Sequence, residues 1–158
     1  MPDLKGLLSR LIEHDVDFVV VGGLAAVAHG SPLMTMDVDI CCDLSPENVR
    51  HIHAALADLH PVHRMHPSRP PFDPATLGSQ PIHNLYLDTD WGQLDCLGGV
   101  LGLGDFDVVR QRSQVVDIEG GACRLLTLGA LIDAKRAMGR PRDMETIAYL
   151  EAIKQRSE

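Results

Sequence analysis

Asp37 and Asp39 stand two apart in Met36-Asp37-Val38-Asp39-Ile40-Cys41, a segment that alternates polar and apolar residues. A β-strand repeats every two residues, so both carboxylates leave one face, with Cα atoms roughly 6–7 Å apart, while Val38 and Ile40 turn into a core. Two like charges so placed repel each other unless water or a cation lies between them. Hard oxygen ligands at this spacing suit Mg²⁺, which takes one or two carboxylates together with substrate phosphates. The exposed face of an edge strand would show the same pattern, so the pair alone decides nothing.

A second feature lies fourteen residues upstream of Asp37, where Gly22-Gly23 follows the apolar run Phe18-Val19-Val20-Val21. Glycines at a strand exit let the backbone turn sharply and approach a ligand closely. A helix starting there would present free N–H groups to a phosphate. A plain turn would need the same residues. The G-x-G-x-x-G spacing of a dinucleotide fold is absent, and no G-K-S/T of a P-loop follows.

These residues need a framework, and the hydrophobic periodicity supplies one. Leu4, Leu7, Leu8, Leu11 and Ile12 mark one face of an amphipathic helix. Phe18–Val21 is a buried strand, Leu24 to His29 is helix-prone, and Met36 to Cys41 is the second strand. Ser45-Pro46-Glu47 is a helix start, with Ser at the N-cap, and the helix is predicted to run to about Leu59. The stretch 60–81 holds six of the ten prolines and is expected to be a long irregular loop with a short strand near Val62. Ile82–Asp88 and Gln93–Leu97 form a strand pair, Val115–Ile118 and Ala122–Leu126 another turned by Gly120-Gly121. Thr127 caps a helix to about Met138, Gly139-Arg140-Pro141 breaks it, and Asp143 caps a last helix to about Gln155. The expectation is an α/β (α+β) chain, a mixed sheet flanked by helices. It forms one domain over 1–158, with a core at about 16–126 and a C-terminal helical hairpin at about 127–155.

Composition sets limits. The 158 residues are 45% hydrophobic and 23% charged, an ordinary globular balance with enough chain for a core. No apolar run is long enough to cross a bilayer, so no membrane partner is expected. Met1-Pro2-Asp3-Leu4-Lys5 lacks a basic region followed by an apolar stretch, so no secretory signal is expected. Cys41, Cys42, Cys96 and Cys123 form no C-x-x-C pair and read as reduced core residues of a cytoplasmic protein. The net charge of −8 argues against avid nucleic-acid binding, since phosphate-gripping proteins show a basic face.

Taken together, Val21-Gly22-Gly23, thirteen residues from Leu24 to Met36, and Asp37-Val38-Asp39-Ile40 resemble the signature of the nucleotidyltransferase superfamily. Within it the chain is similar to the bacterial AbiEii-type toxin group. That likeness rests on Gly22-Gly23-Leu24-Ala25 with His29-Gly30, on Thr35 ahead of the Asp-x-Asp, and on the block Leu131 to Asp143. Leu33 stands where relatives often carry an arginine, and the chain is shorter than many toxins of the group.

The resemblance implies the nucleotidyltransferase fold and a third carboxylate on a later strand, for which Asp95 is the match. It implies metal binding by Asp37, Asp39 and Asp95, with two Mg²⁺ ions. The nucleotide, such as ATP, is to be bound by Gly22, Gly23, Thr35 and Lys135. A nucleoside triphosphate would donate a nucleotide to an acceptor hydroxyl on RNA, such as tRNA, or on protein, with an antitoxin as possible partner. A non-catalytic nucleotide- or partner-binding member, and an aminoglycoside-type small-molecule enzyme, are the alternatives.

Other residues invite chemistry. His60, His63 and His66 lie beside Arg64 and Arg69 in the proline-rich stretch. Three imidazoles suit Zn²⁺, but the prolines around them forbid a regular helix face, which favours a basic loop touching phosphate or a solvated loop. Cys41 has no paired base and reads as core. Arg136, Arg140 and Arg142 form the densest basic cluster, either docking an acceptor or complementing a helix C-terminus.

Overall fold

The computed structural model describes residues 2–157. Helix α1 (Leu4–Glu13) starts where the Asp3 side chain accepts from the Gly6 N–H at 2.9 Å, and it buries Leu7, Leu8 and Leu11. Strand β1 (Phe18–Val21) is buried along its whole length and leads into α2 (Gly22–Ala28) and then β2 (Asp37–Cys42). Ser45 caps α3 (Pro46–Leu56), whose end tightens into a 3₁₀ turn over Ala57–Leu59. Then come β3 (Val62–His63), β4 (Asn84–Thr89) and β5 (Gly92–Leu97). A small ribbon of β6 (Gly99–Val100) and β7 (Gly104–Asp105) precedes α4 (Phe106–Gln111). Strands β8 (Ser113–Ile118) and β9 (Gly121–Leu126) lead into the hairpin of α5 (Leu128–Met138) and α6 (Pro141–Ser157).

Seven strands form one mixed sheet in the order β3-β4-β5-β2-β1-β9-β8. At its centre β2 runs antiparallel to β1 and parallel to β5. Val38, Ile40, Leu94 and Cys96 are fully buried, whereas Asp37, Asp39 and Asp95, at the alternate positions, are half-buried on the other face. Burial thus follows the period of two that the sequence shows. Among the described residues no helix is long and apolar enough to cross a membrane.

Besides shifts of two or three residues at the ends of α3, β4 and β8, the structure departs from the sequence reading in three places. Helix α2 begins at Gly22, not Leu24. The last helix begins at Pro141, so Asp143 is its third residue and reaches back to the Arg140 N–H at 3.1 Å. The ribbon and α4 occupy 99–111, a stretch to which sequence periodicity assigned nothing. The strand near Val62 is present, and the rest of the proline-rich stretch is irregular except for a 3₁₀ turn over Pro74–Thr76.

Candidate active site

The register of the two parallel strands puts Asp39 directly opposite Asp95. Asp37 leaves the same face of β2. One oxygen from each of the three carboxylates lies within 4.8 Å of the others, the sole group of three potential metal ligands among the described residues. Asp39 carries the strain of this arrangement: burial first, then the charges of Asp37 and Asp95, push its pKa up to about 6, opposed by Lys135 and Arg64. Burial also raises the Asp95 carboxyl, while its hydrogen bond from Arg64 pulls the other way.

Gly22 and Gly23 border this cluster. Gly22 has φ +67°, and a Cβ there would collide with the Asp39 carboxylate, whose Cγ would be 3.1 Å away. A Cβ on Gly23 would come within 3.0 Å of Thr35 Oγ1. Thr35 in turn donates from Oγ1 towards Asp37 Oδ1 at 3.2 Å, fixing that carboxylate. Gly22→Ala combines an unfavourable φ with overpacking, so we expect it to cost about 2 kcal/mol or more in thermal denaturation. It should also weaken Mn²⁺ binding by displacing the Asp39 side chain.

Lys135 extends from α5 towards this face. Its side chain is 14% exposed and its ammonium lies 3.8 Å from Asp143 Oδ1. Burial lowers its pKa, and the charges of Asp143 and Asp39 oppose the shift. Asp143, 1% exposed, accepts from Arg140 Nε at 2.6 Å and from Arg140 Nη2 at 3.1 Å. Sequence reasoning saw Asp143 as a helix cap and missed that it also neutralises a half-buried lysine.

The contact of Arg64, named only as part of a basic loop, with Asp95 is the larger omission. Arg64 follows β3, its N–H donates to the Tyr86 carbonyl at 2.9 Å, and its Nη2 donates to Asp95 Oδ1 at 2.5 Å. Arg69 pairs with Asp88 at 2.5 Å. These two arginines of the proline-rich stretch are therefore bound to carboxylates of the sheet. The three histidines do not converge: His60 Nδ1 is 2.6 Å from Asp90, His63 packs edge-on against Phe72, and His66 meets Ser68. The basic cluster of the hairpin is largely engaged, Arg136 with Glu151 and Arg140 with Asp143. Cys41 is fully buried and its thiol is pushed up to about 12, chiefly by burial, which leaves no nucleophile. All four cysteines are free and buried.

A cavity of about 1260 Å³ lies at the opposite ends of β2 and β5, between Cys42–Ser45, the segment 74–84 and the ribbon. It does not include the carboxylates. A second cavity of about 740 Å³ is lined by Met65, His66 and Tyr86, and Tyr86 stands opposite Asp95 across the β4–β5 pair. The two share Leu77 and Asn84 in their walls.

Three solved structures resemble this arrangement of elements. A Thermotoga maritima protein described as a nucleotidyltransferase, TM1012, superposes with a TM-score of 0.57 at 19% identity over 92% of this chain and 88% of its own. ANT(2″)-Ia, solved in complex with adenylyl-2″-tobramycin, gives 0.55 at 15% identity over 98% and 96%. JHP933 from Helicobacter pylori gives 0.52 at 15% identity over 92% of this chain and 62% of its own. No protein-family model matches the sequence, and no curated protein matches it. The chain has the nucleotidyltransferase fold.

Proposed function

We propose that the chain is a Mg²⁺-dependent nucleotidyltransferase that moves a nucleotide from a nucleoside triphosphate to an acceptor hydroxyl. The observation that carries this reading is the convergence of Asp37, Asp39 and Asp95 within 4.8 Å beside a glycine with no room for a side chain. Oxygen ligands from carboxylates fit Mg²⁺, and three such charges on one half-buried face need a cation. When bound there, Mg²⁺ supplies positive charge to the phosphates and acidifies the attacking hydroxyl.

The chain's own residues do the rest. Thr35 orients Asp37, and the bare Gly22-Gly23 backbone lets a triphosphate come close to Asp39. The Lys135 ammonium, steadied by Asp143 and near enough for its charge to act on Asp39, would meet the phosphates. The acceptor oxygen bonds to the α-phosphorus, the bond to the departing pyrophosphate breaks, and the hydroxyl proton passes to a carboxylate or to water.

For the acceptor we favour RNA or protein, as in the AbiEii-type toxins, with an antitoxin as partner; the support is the sequence block from Leu131 to Asp143 and the helical hairpin it forms. A cationic small molecule is the second reading. It is favoured by the net charge of −8, by Asp43, Asp105 and Asp107 in the wall of the large cavity, and by the near-complete mutual coverage with ANT(2″)-Ia. The deciding experiment incubates the protein and Mg²⁺ with each labelled nucleoside triphosphate and, separately, with total RNA, with protein and with an aminoglycoside. Label on one acceptor class is the expected result. Nucleotide binding without transfer to any of them would make the chain a non-catalytic member of the fold.

A further inference from the structure

The carboxylate cluster is contacted directly by one cation among the described residues, and it is Arg64. Lys135 pairs instead with Asp143. The Arg64 side chain is 20% exposed, and its guanidinium stands 5.8 Å from the Tyr86 ring. Nη2 is taken by Asp95 and Nη1 is directed at the Met65 sulfur, 3.4 Å away, a weak acceptor. Nε is buried with no hydrogen-bond partner; Asp88 Oδ1 lies 3.9 Å from it, too far to accept, and Asp88 is already paired with Arg69. A guanidinium with a buried donor left over, set against three crowded carboxylates, is not in its best surroundings.

We propose that Arg64 is a displaceable counter-cation of the triad: it holds Asp95 while no divalent ion is bound, and, once the ion claims that carboxylate, it turns to a phosphate oxygen of the nucleotide. The inference rests on the triad being the metal and nucleotide site. Two cations competing for one carboxylate repel, so each weakens the hold of the other. Arg69 keeps Asp88 neutralised, so Arg64 can leave without stranding a second acid. A phosphate offers two oxygens at once to the planar guanidinium, an acceptor that Nε and an Nη atom together are shaped to bind. Arg64 is thus a positioning residue in the resting state and a phosphate contact in the loaded one.

The test is a calorimetric Mn²⁺ titration of the nucleotide-free protein, followed by titration of the Mn²⁺-saturated protein with a non-hydrolysable ATP analogue. Wild type, Arg64→Gln, Arg64→Lys and Asp39→Asn are compared. Arg64→Gln should bind Mn²⁺ about tenfold more tightly, because a neighbouring positive charge is gone. Its metal-free Tm should fall and recover when Mn²⁺ is added. Its affinity for the analogue should drop about tenfold, the scale of one charge-assisted contact. Arg64→Lys keeps the charge and should match wild type in the Mn²⁺ titration. Equal or weaker Mn²⁺ binding by Arg64→Gln, with Asp39→Asn still abolishing it, overturns the counter-cation role and leaves the transferase reading in place. So does Mn²⁺ binding by Arg64→Lys as tight as that of the glutamine variant. Unchanged analogue affinity in Arg64→Gln overturns the phosphate contact. Failure of wild type to bind Mn²⁺ in an Asp39-dependent way would overturn the reading of the triad itself.

Discussion

Asp39→Ala should lose nucleotidyl transfer by about a thousandfold or more and at the same time raise the Tm of the metal-free protein. Both effects come from one side chain. Asp39 stands at the centre of the cluster, opposite Asp95 in register and against the bare Gly22 backbone. Without it a divalent ion loses its central ligand. A bound metal contributes several kcal/mol of charge stabilisation, and about 4 kcal/mol corresponds to roughly a thousandfold in rate. In the metal-free protein the same carboxylate is a burden: burial and the charges of Asp37 and Asp95 all disfavour its ionised form. Removing it relieves that repulsion, and the fold, built on Val38 and Ile40 behind it, is untouched. Melting curves with EDTA and with Mn²⁺, run beside a transfer assay, check both halves. A variant that is inactive and also destabilised without metal would mean that Asp39 supports the fold.

Asp143→Ala is expected to be strongly destabilising, by about 3 kcal/mol, because it removes the buried carboxylate that holds a partly exposed Arg140 and leaves the half-buried Lys135 charge without its partner. Asp143 is 1% exposed, takes three donors from Arg140 and faces Lys135. The Arg140 hydrogen bond leads in holding its carboxyl below the ordinary range. The sign of the pH effect follows. With the folded pKa depressed, the contribution is fully present above the unfolded value near 4 and is lost as pH falls through the folded value. Urea denaturation at a series of pH values should therefore show the gap between wild type and Asp143→Ala at full size near neutrality and shrinking below about pH 4. A gap that stays constant into acid would show that packing, and not charge, is what Asp143 supplies.

Much of the site was legible because it depends on local periodicity. The alternation around Asp37 and Asp39 requires both on one face, and the strand does place them there. The glycines after Val21 announced a tight approach, and the approach is to Asp39 itself. Asp95 was found through family resemblance; nothing local in Gln93–Leu97 says that β5 lies parallel to β2 with Asp95 beside Asp39. That Arg64 meets Asp95 was illegible for a related reason. The position of Arg64 follows from β3, a two-residue edge strand in a proline-rich stretch, where no repeat is long enough to show a period. The ribbon and α4 escaped notice because glycines at 98, 99, 102 and 104 read as loop, and a six-residue helix offers too few turns for an apolar face to appear. Asp143 was placed at the start of the last helix, two residues late, and its burial depends on how α5 and α6 pack, which no helix signal contains.

The most direct measurement is anomalous diffraction from crystals grown with Mn²⁺ and a non-hydrolysable ATP analogue. A manganese peak bounded by oxygens of Asp37, Asp39 and Asp95, with analogue phosphate against it, is the predicted result. Manganese bound elsewhere, or three carboxylates left to arginine and water at saturating metal, would contradict the assignment of this face as a nucleotidyl-transfer centre.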